Sequence, residues 1–376
     1  MIYLDNAATT LKKPNSVLEA MTDALENCAS VGRGGYEGAM NAAEIVFEAR
    51  EAACEMFGAN GPEQVVFTSN ATHALNLAIK GLAKAGNCVI SGYEHNSVVR
   101  PIMAISGLEC RVARGRLFYP DSIVKSFERL IDKNTSFAVC THMSNVFGYI
   151  LPIKRIDEIC YKKGIPLIID ASQSAGSIRI KLNELKACQC ICMPGHKGLY
   201  GPQGTGILIC RNGENLKTVI EGGTGSVSKE LTQPDFMPDR LESGTHNVPG
   251  IAGLKAGISY IKERGESKIL RRERNLIAEL AREIRKFDGV SLFSSYDAML
   301  QGGVLSLVSD VLSAEKIGNE LSLAKIAVRS GFHCSPLAHE TAHTEGGTVR
   351  VSVSDFTVEN DIEELIKELK KILSKG

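Results

Sequence analysis

The sequence predicts an α/β protein in which a mainly parallel central sheet is flanked by helices and joined to a smaller α+β unit. Three observations carry this. Between about residue 60 and residue 210, short β-rich runs alternate with helical patterns, as strand–helix repeats do. Those runs are almost continuously apolar, which strands must be when helices cover both faces of a sheet. After about residue 250 the pattern changes to long charged helices and a few short strands.

In order, QVVFTS (64–69), NCVIS (87–91), SFAVCTH (136–142), GIPLIIDA (164–171), CQCICM (188–193) and GILIC (206–210) are the strands. THALNLAIKGLAKAG (72–86) and KRIDEICYKKG (154–164) are helices, each expected to stop at its closing Gly. Residues 250–287, including RRERNLIAELAREIRKF, form charged amphipathic helices, and short strands follow near 302–308 and 347–353. The last helix sets Ile362, Leu365, Ile366, Leu369 and Ile372 at helical spacing.

The 376 residues carry 43 Lys plus Arg and 43 Asp plus Glu, so no global field draws in nucleic acid or acidic lipid. No long basic run supplies a local patch. MIYLDNAATT lacks the charged-then-apolar pattern of a signal peptide, and no apolar run approaches the ~20 residues that cross a bilayer. Eleven Cys with no export signal argue against a disulfide framework. The expectation is a soluble, cytoplasmic protein that binds neither nucleic acid nor membrane.

Ligands of open α/β sheets sit beyond the carboxyl ends of the strands. GIPLIIDASQSAG ends a strand on Asp170, a helix cap or a partner for a bound cation, with Gln173 just after. CQCICMPGHKGLYGPQGTG puts His196 and Lys197 in a Gly-rich turn, where a Lys is either solvated or, desolvated in a cleft, able to form a Schiff base. VVFTSNATHALNLAI places Asn70, Ala71 and Thr72 at a helix N-terminus, an ordinary cap or an anion site. YEHNSV exposes His95, loop decoration or a ring to stack on a flat ligand, and THMSNVFG leaves His142 and Asn145 after a further strand.

A Lys, an acid, an imidazole and a phosphate-ready helix end together match the needs of pyridoxal phosphate. Lys197 would bond the aldehyde, Asp170 the ring nitrogen, and Thr72 with the Ala71 amide the phosphate. His95 would stack on the ring and Gln173 would reach its phenolic oxygen.

YLDNAATT, SNATHALNLAIKG, EHNSV, HMSNVFG, IIDASQSAG, GHKGLYGPQGTG, LESGTHNVPG and RSGFHCSPLAH resemble, in order, the motif series of the class V aminotransferase superfamily. More narrowly they resemble its cysteine desulfurase and selenocysteine lyase family. The resemblance implies a fold-type I subunit of a homodimer, with a cofactor-binding domain over 16–250. Residues 251–376, with 1–15, would form the small domain. It also implies that Thr245 reaches the neighbouring subunit's cofactor phosphate, and that His196 and Asn145 join the cofactor's contacts. Arg350 in GTVRVSVS is a structural ion-pair partner or, by the resemblance, the clamp on a substrate carboxylate, with Asn145 and Arg329 beside it. Where many relatives carry a Ser two residues before the His–Lys pair, this chain has Pro194, which has neither hydroxyl nor N–H. The phosphate is then expected to lean on Thr72, His196 and the neighbour's Thr245.

RSGFHCSP resembles the second desulfurase group, in which the nucleophilic Cys sits on a short ordered loop; the residue carried over is Cys334. Its neighbours His333 and Arg329 supply the positive charge that favours a thiolate. The other ten Cys are read as inert buried thiols. Cys188, Cys190 and Cys192 alternate along one strand and are expected on one face, packed rather than binding metal.

The activity implied is removal of sulfur from L-cysteine, leaving alanine and a persulfide on Cys334 for an unidentified acceptor protein or small thiol. Lys197 would move the Cα proton and His95 would serve proton transfers at the substrate thiol. L-Selenocysteine lyase and aminotransferase activities on the same fold are the alternatives. A non-enzymatic scaffold for metal or an iron–sulfur cluster is the distant one.

Overall fold

A computed structural model of the chain describes residues 1–32 and 34–374. Strand β1 (Ile2–Tyr3) leads into α1 (Asn15–Asn27) and α2 (Glu37–Phe57). The alternating stretch then forms β2 (Val65–Thr68), α3 (Ala71–Leu82), β3 (Gly86–Ser91), α4 (Asn96–Met103), β4 (Leu108–Ala113) and α5 (Pro120–Leu130). It continues through β5 (Thr135–Thr141), α6 (Ile153–Lys163), β6 (Leu167–Asp170), β7 (Cys188–Pro194) and β8 (Gly206–Cys210). These strands make one seven-stranded sheet in the order β2-β8-β7-β6-β5-β3-β4. Every adjacent pair is parallel except the two that involve β8. The mainly parallel sheet, covered on both faces by apolar clusters, is the architecture the sequence predicts.

The second region contains α7 (Val248–Arg264), α8 (Glu266–Ile284), β9 (Val290–Phe293), β10 (Val304–Ser309) and α9 (Ala314–Leu323). It ends with β11 (Ile326–Ala327), β12 (Arg329–Gly331), α10 (Pro336–Ala342), β13 (Thr348–Ser352) and α11 (Glu359–Leu373). An antiparallel sheet β12-β13-β10-β9 packs against α8, α9 and α11, and β1 pairs with β11. Ile362, Leu365, Leu369 and Ile372 are buried there, with Ile366 half-buried.

Three local expectations need correcting. Helix α3 stops at Leu82 on an extended Ala83, because Gly86 opens β3 instead. Its φ of +124° and a carbonyl of Asn134 2.3 Å from any added Cβ admit only Gly. The edge strand β4 was not anticipated; its half-exposed LECRVA lacks the apolar run of the inner strands. Cys188, Cys190 and Cys192 do not share a face. Leu167 pairs with Cys188 but Ile168 with Cys190, so Gln189 bulges and turns Cys188 over. Cys188 joins the cluster of Ile191 and Met193, whereas Cys190 and Cys192 join that of Leu208 and Cys210.

Helix α7 buries Ile251, Leu254, Ile258 and Ile261 in the core of the large sheet, while α8 turns Leu276, Ile277 and Leu280 to the small one. Gly265, at φ +87°, makes the break. We propose that the two units divide at Gly265 rather than near residue 250.

Candidate active site

Thr141, Asp170 and Pro194 are the last residues of β5, β6 and β7, and all three border one cavity of ≈ 210 Å³. Ala71, Thr72, His95, Asn145, Gln173, His196, Lys197, Arg329 and Arg350 line it too. Sequence reasoning therefore brought together residues from across the chain that the fold does gather. The site lies at the carboxyl edge of the sheet because parallel strands all point that way.

Lys197 sits in the turn after β7. Gly195 and Gly198 flank its His–Lys pair, and a Cβ on either would come within 2.1 Å of Thr205 Oγ1 or 2.3 Å of the Ala175 carbonyl. The N-terminal segment straps the same turn: Thr10 donates to the His196 carbonyl (3.1 Å), and Thr9 Oγ1 meets His196 Nδ1 (3.0 Å). Lys197 is half-buried at this cavity, and desolvation lowers its pKa to about 8; Asp170 opposes the shift, and Arg350 and Arg329 add to it. Asp170 Oδ1 accepts from the Ser172 amide (2.9 Å), and the Ser172 side chain also helps to hold the carboxylate. Burial raises its pKa, since a carboxylate with so few partners is costly to ionise.

At the N-terminus of α3, Asn70 Oδ1 accepts from the His73 amide (2.9 Å). The amides of Ala71 and Thr72 have no partner among the described residues and form an anion cradle. Thr72 Oγ1 bonds Ser97 Oγ (2.8 Å), which in turn bonds His95 Nδ1 (2.9 Å). The Ser97 amide donates to that same Nδ1 (3.0 Å), so the neutral ring carries its proton on Nε2. Burial, then the charge of Lys197, pushes His95 down to about 4 and His196 likewise to about 4. Gln173 Nε2 donates to the Ala7 carbonyl (3.0 Å).

The small sheet supplies the other wall. Arg329 on β12 stands directly across from Arg350 on β13, and both border the cavity. Like charges opposed across strands are unfavourable unless an anion joins them. Arg350 is only 1% exposed; its Nη2 donates to Asp5 Oδ1 (2.6 Å) and its Nη1 to the Asn145 carbonyl (3.1 Å), while Nε has no partner among the described residues. Cys334 is exposed beside this wall, with Arg329 Nη2 3.8 Å from Sγ.

Thr245 does not border this cavity in the single chain; it lines a separate one with His73, Glu242 and Asn247. His142 is buried and does not line the cavity, although its amide donates to the Asp170 carbonyl (2.9 Å). Asp5 and Ser97 were missed, although both lie in quoted motifs: a lone acid or Ser in an N-terminal stretch gives no signal until its partner is known. The thiols of Cys190 and Cys210 touch at 3.6 Å inside the core, and among the described residues no three His, Cys, Asp or Glu gather as a metal site.

The aldehyde cofactor inferred from the sequence fits these residues. An amine with lowered proton affinity faces the same cavity as a buried carboxylate, and two free amides lie at a helix end.

A family model for class-V aminotransferases matches residues 2–365. A probable cysteine desulfurase of Methanothermobacter thermautotrophicus is 32% identical, over 100% of this chain and 95% of its own. Among solved structures, the apo cysteine desulfurase of Thermococcus onnurineus superposes with a TM-score of 0.91 at 29% identity, covering 100% of this chain and 95% of that one. The Escherichia coli cysteine desulfurase CsdA shares the fold, with a TM-score of 0.88 at 23% identity over 100% and 95% of the two chains. From its motifs, its sheet and these similarities, the chain belongs to the class-V aminotransferase family, in its cysteine desulfurase branch.

Proposed function

We propose that this protein is a pyridoxal-phosphate-dependent cysteine desulfurase that converts L-cysteine to L-alanine and leaves the sulfur as a persulfide on Cys334. The observation that carries the reading is the grouping of Lys197, the buried Asp170 and the opposed Arg329–Arg350 pair around one cavity, with an exposed Cys beside Arg329.

Bound there, the cofactor would supply an aldehyde for the substrate amine and a ring that accepts the electrons of a Cα carbanion. Asp170 would hold the proton on the ring nitrogen, a charged donor that relieves its own desolvation. The Ala71 and Thr72 amides, with the Thr72 hydroxyl, would hold the phosphate; His196 and the neighbouring subunit's Thr245 would complete that set in place of the hydroxyl that Pro194 lacks. Asn145 and Gln173 belong to the same wall, and His95 would stack on the ring.

Arg350 would take the substrate carboxylate on the donors that Asp5 and Asn145 leave free, and Arg329 would add charge. Lys197, with its lowered pKa, would carry the Cα proton. His95, neutral with Nε2–H, would serve proton transfer at the substrate thiol. The Cys334 thiolate then attacks the substrate sulfur: an S–S bond forms, the Cβ–S bond breaks, and Cβ takes the electron pair and a proton. L-Cysteine and one enzyme thiol thus give L-alanine and one enzyme persulfide.

Exposure of Cys334 suits hand-over to an acceptor protein or small thiol. Leu18 and Leu25 on α1 and Met40 and Phe47 on α2 are exposed apolar side chains, which supports a self-association face and a homodimer. All eleven thiols are free, which fits a reducing cytoplasm, and among the described residues no helix is long and apolar enough to cross a membrane.

The test is alanine formation from L-cysteine by wild type, Lys197→Ala and Cys334→Ser, with the visible spectrum recorded alongside. Wild type should form alanine and be coloured. Lys197→Ala should lose both the activity and the wild-type spectrum, and Cys334→Ser only the cysteine activity. A Cys334→Ser enzyme with full activity on L-cysteine would refute the reading.

A further inference from the structure

The turn that carries Cys334 is built against the preference of its own residues. His333 and Cys334 have φ of +51° and +57°, the left-handed region that L-residues other than Gly seldom adopt. Two such residues in succession persist only where surrounding contacts over-determine them. Those contacts come from two places. The Asn96 amide donates to the Cys334 carbonyl (2.8 Å). Asn145 grips the other side: its Nδ2 donates to the His333 carbonyl (2.9 Å), and its Oδ1 accepts from Ser335 Oγ (2.7 Å).

Both ends of the buried Asn145 amide are therefore committed to the residues on either side of Cys334. The main-chain carbonyl of the same residue accepts from Arg350 Nη1 (3.1 Å). One residue thus ties the guanidinium proposed for the substrate carboxylate to the turn that presents the nucleophile.

We propose that Asn145, acting with Ser335, is a positioning residue that fixes the Cys334 turn relative to Arg350 and so sets the geometry of sulfur transfer. The inference rests on the desulfurase reading and gives Asn145 a task beyond the cavity wall it borders. Its consequence is selective. Attack by Cys334 on the substrate sulfur needs Sγ held in line. The weaker Cβ–Se bond instead lets an added small thiol in solution take the selenium, with Cβ keeping the electron pair and gaining a proton, so turnover of L-selenocysteine does not depend on the enzyme thiol.

The experiment uses the holoenzyme with Ser335→Ala and Asn145→Ala, L-cysteine and L-selenocysteine as separate substrates, and hydrogen exchange of the free variants. Ser335 does not line the cavity. For Ser335→Ala, kcat on L-cysteine should fall roughly tenfold while selenocysteine turnover stays within about twofold. For Asn145→Ala, the ratio of the two kcat values should fall by roughly thirtyfold or more. Amide exchange across residues 331–338 should quicken about tenfold in both variants, with the rest of the chain unchanged.

Equal loss on both substrates with a raised KM would overturn the proposal and make Asn145 a ligand of substrate or cofactor. Faster exchange throughout the chain would overturn it in favour of a global structural role, and unchanged exchange in 331–338 would sink it outright. A wild type that makes no alanine from L-cysteine would instead refute the desulfurase reading, and the exchange measurement would still decide whether the clamp exists.

Discussion

Lys197 offers the sharpest quantitative test, because its protonation is set by groups that pull in opposite directions. Burial lowers its pKa from 10.5 to about 8, Arg350 and Arg329 push the same way, and Asp170 and Asp5 oppose them. At pH 7 a pKa of about 8 leaves roughly a tenth of the side chain as free amine, against about 0.03% for an ordinary Lys, a gain of roughly 300-fold in nucleophile. Competitive labelling of the cofactor-free protein with acetic anhydride, read by peptide mass between pH 6 and 11 (roughly the span of both pKa values), should give a midpoint near 8 for Lys197. Asp170→Asn removes the largest stabiliser of the ammonium, so its midpoint should fall. Arg350→Gln removes a repelling charge, so its midpoint should rise. Rates of cofactor uptake, followed by visible absorbance, should shift in the same order. A wild-type midpoint near 10, or an Asp170→Asn midpoint above that of the wild type, would refute the argument that desolvation and these two charges tune the amine.

Arg350→Lys replaces a planar fork by a point charge and should raise the KM for L-cysteine about thirtyfold with a smaller change in kcat, in steady-state kinetics. Glu242 accepts from Arg50 Nη1 (2.8 Å) and from His246 Nε2 (2.8 Å) in the core. Glu242→Ala would leave the guanidinium buried without its counter-ion and should destabilise by about 3–5 kcal/mol in urea unfolding. Glu273 is a buried acid raised to about 8 by burial and then by Asp355, so the folded state keeps a proton that the unfolded chain loses near 4.5. Its stabilising contribution is complete below 4.5 and is lost as pH rises toward 8. Glu273→Gln should flatten that decline by up to about 1.4 kcal/mol per pH unit. Part of the slope should survive in the variant, because buried Glu94 is also raised to about 8.

What the sequence disclosed and what it hid follow one physical line. Apolar runs and the residues just after them were readable because a covered parallel sheet forces both: the strands must be greasy, and the chain can turn polar only at their ends. Hence Asp170, Lys197, His95 and Thr72 could be gathered at one edge from their strand-relative positions alone. Long-range partners leave no such trace. Nothing in YLDNAATT says that Asp5 meets an arginine on β13 near the far end of the chain, since that pairing exists only once β13 lies beside the N-terminal strand. The bulge at Gln189 was hidden for a related reason. Register depends on the neighbouring strand, and one inserted residue inverts every side chain before it. The edge strand β4, half-exposed and mixed in polarity, obeys the pattern of its own position rather than that of the inner strands.

The division of labour between the two units explains why the N-terminal segment matters more than its length suggests. The large sheet supplies the amine and the buried acid, while the small sheet supplies the guanidinium pair and, through its loop, the thiol. Sulfur transfer requires these two sets to keep a fixed separation, yet they stand on different sheets with different cores. Residues 5–10 bridge them. Asn6 Nδ2 donates to the Ser352 carbonyl (3.0 Å) and the Ala7 amide to Ser352 Oγ (2.9 Å), on the same strand as Arg350. From the same stretch Ala7 accepts from Gln173, and Thr9 and Thr10 bond the turn that carries Lys197. Asp5 meanwhile holds Arg350 by its charge. A segment with almost no core of its own therefore fixes the distance between the group that moves the Cα proton and the group that binds the carboxylate. Its hydrogen bonds are worth only about 1 kcal/mol each, so their value lies in geometry more than in stability.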